Sequence, residues 1–263
     1  MHRFYLPPAS CQGETLLLTR AEAHHALHVL RVRYGETVVV LDGAGAQYRC
    51  KVQSLTHDTV NLSVREKKQH PAPPCSITLL QAVPKGKLIE TIIQKATELG
   101  VSRIVPLLTE RTLLQVDGKD AQRKATKWQS VALEAIKQCG SPWLPEVLPP
   151  MPPAEFLKRK EHYDLPLIGC LLAGSKHPRE YFDDFLSREG RKPQSVSVWI
   201  GPEGDFTPTE YDSIQAAGAW PITLGPLILR TDTAATYCLS LINYELSAPL
   251  ASAQRFSARS VPS

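Results

Sequence analysis

The sequence predicts an α/β protein in two parts. A small β-barrel over residues 1–70 precedes an α/β domain with a parallel sheet over 75–247, and residues 248–263 form a tail expected to be disordered. Three observations carry this. The first 68 residues hold several short apolar runs and a single helical stretch. "KKQHPAPPC" (67–75) follows with three prolines and no periodicity. Beyond it, apolar strands alternate with helix-period segments, the pattern of a parallel sheet. A chain of 263 residues with 43 % apolar side chains supplies enough core for two such units.

In chain order, "LTRAEAHHALHVLRV" (18–32) predicts the helix of the first part. Thr19 stands three residues before Glu22 as a capping box, and Ala23, Ala26, Leu27 and Leu30 recur at helical spacing. "ETVVVLDG" (36–43) and "AQYRCKVQSL" (46–55) pair as a hairpin around Gly43 and Gly45, and "DTVNLSVREK" (58–67) adds a strand. After the proline segment, "SITLLQAV" (76–83) reads as a buried strand. "GKLIETIIQKATELG" (86–100) is an amphipathic helix closed by Gly100, and "SRIVPLL" (102–108) is the next strand. A helix over 119–139 ends at Gly140. "DLPLIGCLLAG" (164–174), "SVSVWIG" (195–201) and "WPITLG" (220–225) are further buried strands. Thr207-Pro208-Thr209-Glu210 opens a helix with a second capping box, and "DTAATYCLSLINYEL" (232–246) is the last helix.

Composition bounds the function. No run approaches the roughly 18 apolar residues of a membrane span, and "MHRFYLPPAS" does not resemble a secretory signal, so a cytoplasmic protein without a membrane partner is expected. The six cysteines are scattered without a C-x-x-C pair and are expected to be reduced. Net charge is +4. Residues 1–70 contribute nine Lys and Arg against six Asp and Glu, so the basic excess sits in the first quarter, as a nucleic-acid surface or as a solvated face.

Three strands end in Gly-containing turns: "LLAGSK" (171–176), "IGPEGD" (200–205) and "LGPLILRT" (224–231). In an open parallel sheet, ligands sit outside the carboxyl ends of strands, so three such turns can line one pocket. Neither phosphate fingerprint, G-x-x-x-x-G-K-[ST] nor G-x-G-x-x-G, is present. Glu203 and Asp205 would repel a pyrophosphate but suit a cation with hydroxyl and amine donors, a description that S-adenosylmethionine meets. A plain structural turn with Glu203 facing solvent is the alternative.

"LILRTDTAA" (227–235) crowds Arg230, Thr231, Asp232 and Thr233 at the entry to the last helix. Thr231 or Asp232 is expected as its N-cap. An arginine there is unexpected, because a helix N-terminus favours anions, and it makes sense if an anionic group comes to it. An Arg230–Asp232 ion pair is the alternative. On the 119–139 helix, Lys119, Arg123, Lys124 and Lys127 form either a solvated face or a phosphate-contacting one. His24 and His28 have zinc-helix spacing, but the Glu of H-E-x-x-H and a third ligand are missing, so no metal is expected. No G-x-S-x-G supports nucleophilic catalysis.

Together, "MHRFYLP", "HHALHVLRVRYGETVVVLDG", "KGKLIETIIQKATELGVSRIVPLLTERT", "QCGSPWLPEV", "WIGPEGDFTPTE" and "LGPLILRTDTA" resemble the bacterial methyltransferase family RsmE across residues 1–246. The resemblance implies a PUA-like RNA-binding barrel followed by a SPOUT domain with a deep trefoil knot. It implies a homodimer that uses S-adenosylmethionine to methylate N3 of a uridine in the 16S RNA of the small ribosomal subunit. A ribosome-associated RNA-binding protein with a lapsed or retargeted site is the competing expectation. The knot loops would hold the cofactor at Leu172, Ala173, Gly174, Ile200, Gly201, Pro202, Gly204, Leu224, Gly225, Leu229, Arg230 and Thr231. Arg230, Asp232 and Glu203 are the expected catalytic groups, and Arg3, His25, Arg31, Arg33, Arg123 and Lys127 the expected RNA contacts. The chain departs from the family pattern at Lys137–Ser141, at Asp205, at Leu227 and at Asp232.

Overall fold

The structure is a computed structural model that describes residues 1–114, 116, 118–170 and 175–247. The first lobe contains β1 (Arg3–Tyr5), β2 (Thr15–Leu18), α1 (Arg20–His24), β3 (Thr37–Leu41), β4 (Ala46–Leu55) and β5 (Val60–Gln69). Its sheet runs β1-β3-β4-β5-β2, antiparallel except for the β1–β3 pair. Along β4, Ala46, Tyr48, Cys50 and Val52 are buried while Arg49 and Lys51 are exposed, the period of two that packs one sheet face. Those inward residues share a core with Phe4, Leu16, Leu18 and Leu62, and with Ala23 and Ala26 from the helical segment. Past His24 that segment widens into π-helical turns over His25–Val29, where the sequence predicts regular α-helix.

The second lobe alternates strand and helix. In order come β6 (Ser76–Ala82), α2 (Leu88–Glu98), β7 (Arg103–Leu107), α3 (Gly118–Cys139), β8 (Glu146–Val147), α4 (Pro153–Leu157) and β9 (Leu165–Gly169). Then come α5 (Pro178–Glu189), β10 (Ser195–Ile200), α6 (Pro208–Ala216), β11 (Trp220–Ile222) and α7 (Thr231–Ser247). All strand pairs are parallel, in the order β11-β9-β10-β6-β7-β8. Both faces are covered, which is why these strands read as unbroken apolar runs. Leu79, Leu167 and Val198 point into one core with Ile92, Ile93 and Ile242, and their neighbours Leu80, Ile168 and Trp199 into another with Phe206 and Ile214. The short β8 and α4 escape sequence prediction because neither is long enough to show a period. The strand predicted to run to 174 ends at Gly169.

The lobes meet at the end of α3. Arg3 Nη1 donates to the carbonyls of Gln138 (2.8 Å) and Lys137 (3.2 Å), satisfying the last turn of that helix. Gly140 follows at φ +83, where a Cβ would come within 3.0 Å of the Arg3 guanidinium. Lys137 is buried and reaches Glu22 Oε1 at 2.8 Å and Glu134 Oε1 at 2.7 Å. Gly45 N donates to Pro142 O, and Trp143 packs where a side chain on residue 45 would stand, 2.4 Å from its Cβ position. The departure at Lys137–Ser141 therefore belongs to the lobe junction. The same contacts explain why the Thr19–Glu22 capping box does not form. Thr19 makes no side-chain cap, and the Glu22 carboxylate instead accepts from Tyr5 N and from Lys137.

All six cysteines are free. Burial pushes the Cys11 thiol up to about 11 and those of Cys50, Cys75 and Cys238 to about 12. The thiolate is the reactive form, so iodoacetamide at pH 8 is expected to alkylate exposed Cys139 and spare these four. Peptide mass spectrometry of the native protein checks this. Labelling of the four at the Cys139 rate would mean that the cores open on that timescale.

Candidate active site

The strand order places the carboxyl ends of β11, β9 and β10 side by side, at Ile222, Gly169 and Ile200. A cleft of about 580 Å³, counting the space open to solvent, lies against them. Gly169 and Ile200 form its floor, with Gly201, Pro202, Glu203 and Asp205 on one wall and Leu224, Gly225 and Leu229 on the other. Glycine is required at 201, because a Cβ there would lie 2.7 Å from Asp205 Oδ1 and 3.2 Å from its Cα. Gly225 sits at φ +107, a conformation that glycine enters without a Cβ clash. Backbone is therefore bare at these two positions, the rest of the lining is mostly apolar, with Ile200, Leu224, Leu227 and Leu229, and its carboxylates are Glu203 and Asp205. No lysine, arginine or histidine is among the described lining residues.

A buried relay joins the two walls. Gln81, fully buried at the end of β6 and paired with Ile200, donates from Nε2 to Thr231 Oγ1 at 2.9 Å. The Thr231 hydroxyl in turn donates to Gly201 O at 2.7 Å. The direction amide to hydroxyl to carbonyl is fixed, because Gly201 O can only accept. It ties the turn after β10 to the first residue of α7. Neither Thr231 nor Asp232 is the N-cap that the sequence predicts. The helix starts at Thr231, with Ala234 N donating to Arg230 O, and the Thr231 side chain is engaged by Gly201 instead. Sequence reasoning missed Gln81; the signal was a polar residue inside the apolar strand "SITLLQAV".

The remaining expected residues divide clearly. Ile200, Gly201, Pro202, Glu203, Leu224 and Gly225 line the cleft, as do Leu229 and Thr231. Gly204 adjoins it, with its carbonyl accepting from Arg111 Nη1. Leu172, Ala173 and Gly174 lie outside the described residues. Glu203 does not simply face solvent: its Oε1 accepts from Lys85 N at 3.1 Å, tying the turn to the loop after β6. Arg230 is exposed and forms no ion pair with a described residue, so the Arg230–Asp232 pair is not made. Asp232 keeps a buried Oδ1 without a hydrogen-bond partner, as Gln81 does its Oε1.

Of the expected RNA contacts, Arg3 is engaged at the lobe junction, and His25 sets its ring edge-on to Phe4. Arg31 and Arg33 are exposed on the first lobe. Arg123 pairs with Asp120 at 2.8 Å and Lys127 with Glu90. The His24 and His28 rings lie 4.8 Å apart, tilted by 45°, and no group of three potential metal ligands occurs among the described residues.

The RNA methyltransferase domain family matches residues 71–243, and the RNA methyltransferase PUA domain family matches residues 18–65. The chain belongs to the RsmE family of RNA methyltransferases. Ribosomal RNA small subunit methyltransferase E of Synechocystis is 35 % identical over 92 % of this chain and 77 % of its own length. The Bacillus subtilis enzyme of the same name is 29 % identical over 93 % and 97 %. Among solved structures, a Legionella pneumophila methyltransferase in complex with S-adenosylmethionine aligns with TM-score 0.82 and 31 % identity, covering 92 % of this chain and 96 % of that one. The Neisseria gonorrhoeae methyltransferase E bound to S-adenosylmethionine aligns with TM-score 0.80 and 29 % identity, over 93 % and 97 %. The RsmE chain described here thus pairs a PUA-type lobe with a methyltransferase lobe, and its cleft lies in the second.

Proposed function

We propose that this chain transfers a methyl group from S-adenosylmethionine to N3 of a uridine in 16S ribosomal RNA. The observation that carries the proposal is the cleft at the ends of β9, β10 and β11. Its described lining joins apolar side chains, bare backbone at Gly201 and Gly225 and two carboxylates without a cation, and Arg230 beside it forms no ion pair with a described residue. Such walls fit a ligand bearing a sulfonium and an ammonium, with hydroxyls and an adenine for backbone groups to bind. When bound, S-adenosylmethionine supplies an electrophilic methyl group that needs no metal and no covalent enzyme intermediate.

The work of the protein is then alignment and charge. Holding reactants in line supplies several kcal/mol. Uridine N3 carries a proton at neutral pH, so the site must favour its anion. Arg230, with no carboxylate partner among the described residues, stabilises that anion. Of the two expected acids, Asp232 is the better proton acceptor, because its Oδ1 is uncommitted while Glu203 is engaged by Lys85 N. Glu203 instead holds the turn. N3 lies on the Watson–Crick edge, so the target is unpaired or flipped out, and the first lobe serves to bind the surrounding RNA.

Labelled methyl transfer to unmodified small ribosomal subunits, followed by nucleoside digestion, tests this. Label in N3-methyluridine is expected; label in another nucleoside would keep the enzyme and overturn the target. No transfer together with no cofactor binding would favour an RNA-binding protein with a lapsed site. Against that second function, the Lys137–Ser141 departure lies at the lobe junction and leaves the cleft walls untouched.

Thr231→Val keeps the side-chain shape and removes the relay hydroxyl, leaving a buried amide donor without its partner, at a cost of about 1–3 kcal/mol. Cofactor affinity is expected to fall roughly 5- to 100-fold by calorimetric titration. Unchanged affinity would show that the relay does not position the turn.

The same reading makes the protein a cytoplasmic homodimer with a trefoil-knotted second domain. Leu227 and Ile228, 71 % and 81 % exposed at the cleft rim, support a partner subunit there. Light scattering is expected to give twice the chain mass of 29.1 kDa.

A further inference from the structure

A second cleft lies between the loop after β6, the segment after β7 and α3. It encloses about 890 Å³, counting the space open to solvent. Lys85 and Lys87 flank Gly86 on one side, and Lys124 and Lys127 come from α3 on the other. Among the described lining residues the carboxylate facing these four lysines is Glu90, and it is already engaged by Lys127. Lys85, Lys87 and Lys124 have no anionic partner among the described residues. Lys124 Nζ is 5.9 Å from the Trp128 ring centroid, a weak cation–π contact that leaves its charge available. Leu113, 73 % exposed, adds an apolar surface to the same cleft.

Three unpaired cations converging beside an exposed leucine repel one another, and the arrangement is relieved by a polyanion that also carries flat apolar faces. The cleft is also coupled to the active site. The Lys85 backbone N–H donates to Glu203 Oε1, and Glu203 walls the cofactor cleft. The lysine turn and the cofactor turn are thus joined by one hydrogen bond.

We infer that this lysine cleft seats the RNA strand adjacent to the target nucleotide. Lys85, Lys87 and Lys124 take its phosphates, and Leu113 lies under a flanking base. The target base then enters the neighbouring cofactor cleft. The inference rests on the methyltransferase function proposed above and names its substrate subsite. It keeps Lys124 of the α3 surface predicted from sequence and replaces Arg123 and Lys127, which already hold carboxylates, with Lys85 and Lys87, which hold none among the described residues.

The test compares the full-length protein with Lys87→Gln, Lys124→Gln and the double variant. Methyl transfer to unmodified small subunits is measured across a salt series, and S-adenosylmethionine affinity by calorimetry. Each variant is expected to raise KM for the subunit severalfold with little change in kcat or cofactor affinity. The slope of log KM against log salt should fall by about one per lysine. Lys87→Arg and Lys124→Arg should restore it. Wild-type KM and salt slope in the active double variant would overturn the inference and leave an acidic protein as the occupant. If the unaltered protein methylates no RNA, it is the proposed function that fails. Binding of a fluorescent single-stranded oligoribonucleotide then decides the cleft: a weaker, less salt-dependent affinity in the double variant supports it, and an unchanged one overturns it.

Discussion

Lys137→Ala is expected to lower the stability of the protein by about 3–5 kcal/mol, the usual cost of removing one partner from a buried ion pair. Lys137 is 7 % exposed, and its ammonium lies between Glu22 of the first lobe and Glu134 of its own helix. Its loss leaves Glu22 without a cation, while the same carboxylate still has to hold Tyr5 N. Burial pulls the Lys137 pKa down, but the bonds and charges of Glu134 and Glu22 outweigh it, and the net shift is upward from 10.5. A group whose folded pKa is raised contributes stability fully below its unfolded pKa and loses it as pH climbs through the folded value. The native protein should therefore lose this contribution only in the alkaline range above about 10.5, and the variant should lack that loss. Urea unfolding followed by tryptophan fluorescence, with Trp143 at the junction, measures both effects. Glu22→Gln with Lys137→Met should recover part of the deficit, since replacing both partners leaves no buried charge at that contact. A destabilisation below about 1 kcal/mol in Lys137→Ala would place the pair among surface bridges and remove the junction argument.

Arg230→Ala is expected to lower kcat for methyl transfer by about 10²–10³-fold, the usual effect of removing one group that stabilises developing negative charge. Arg230 is not among the described residues lining the cleft proposed for the cofactor, so S-adenosylmethionine affinity should stay near that of the native protein. Arg230→Lys should restore part of the rate, because the charge returns without the planar fork. Raising the pH should narrow the deficit, since the target nitrogen then loses its proton without help. Undiminished transfer with normal cofactor affinity would sink the assignment and leave anion stabilisation to another group.

Much of this architecture was legible because it is local. The parallel sheet followed from strands and helices each announced by their own period, and the capping box at Thr207 forms in both directions as its spacing predicts. The capping box at Thr19 has the same spacing and fails, because Glu22 finds stronger partners in Lys137 and Tyr5. A motif states what a side chain can do with its neighbours, and a distant charge can outbid them. The turns that line the cleft were recognisable from glycines after apolar strands, yet the contact made by Glu203 was not. Nothing in "GPEG" indicates that its carboxylate will hold the backbone of Lys85.

By itself, the sequence determined the two-part layout, the parallel sheet, the meeting of the turns at Gly201 and Gly225 at its carboxyl edge and the carboxylates of the cleft. Each of these depends on periodicity, backbone freedom or residue type within some ten positions. The tertiary structure alone decided the Lys137–Glu22 clamp, the Gln81–Thr231 relay and the convergence of Lys85 and Lys87 on Lys124 of α3. The first two join residues 115 and 150 positions apart. Such contacts arise from how finished elements pack, and hydrogen bonds and ion pairs select among the partners that packing brings within about 3 Å.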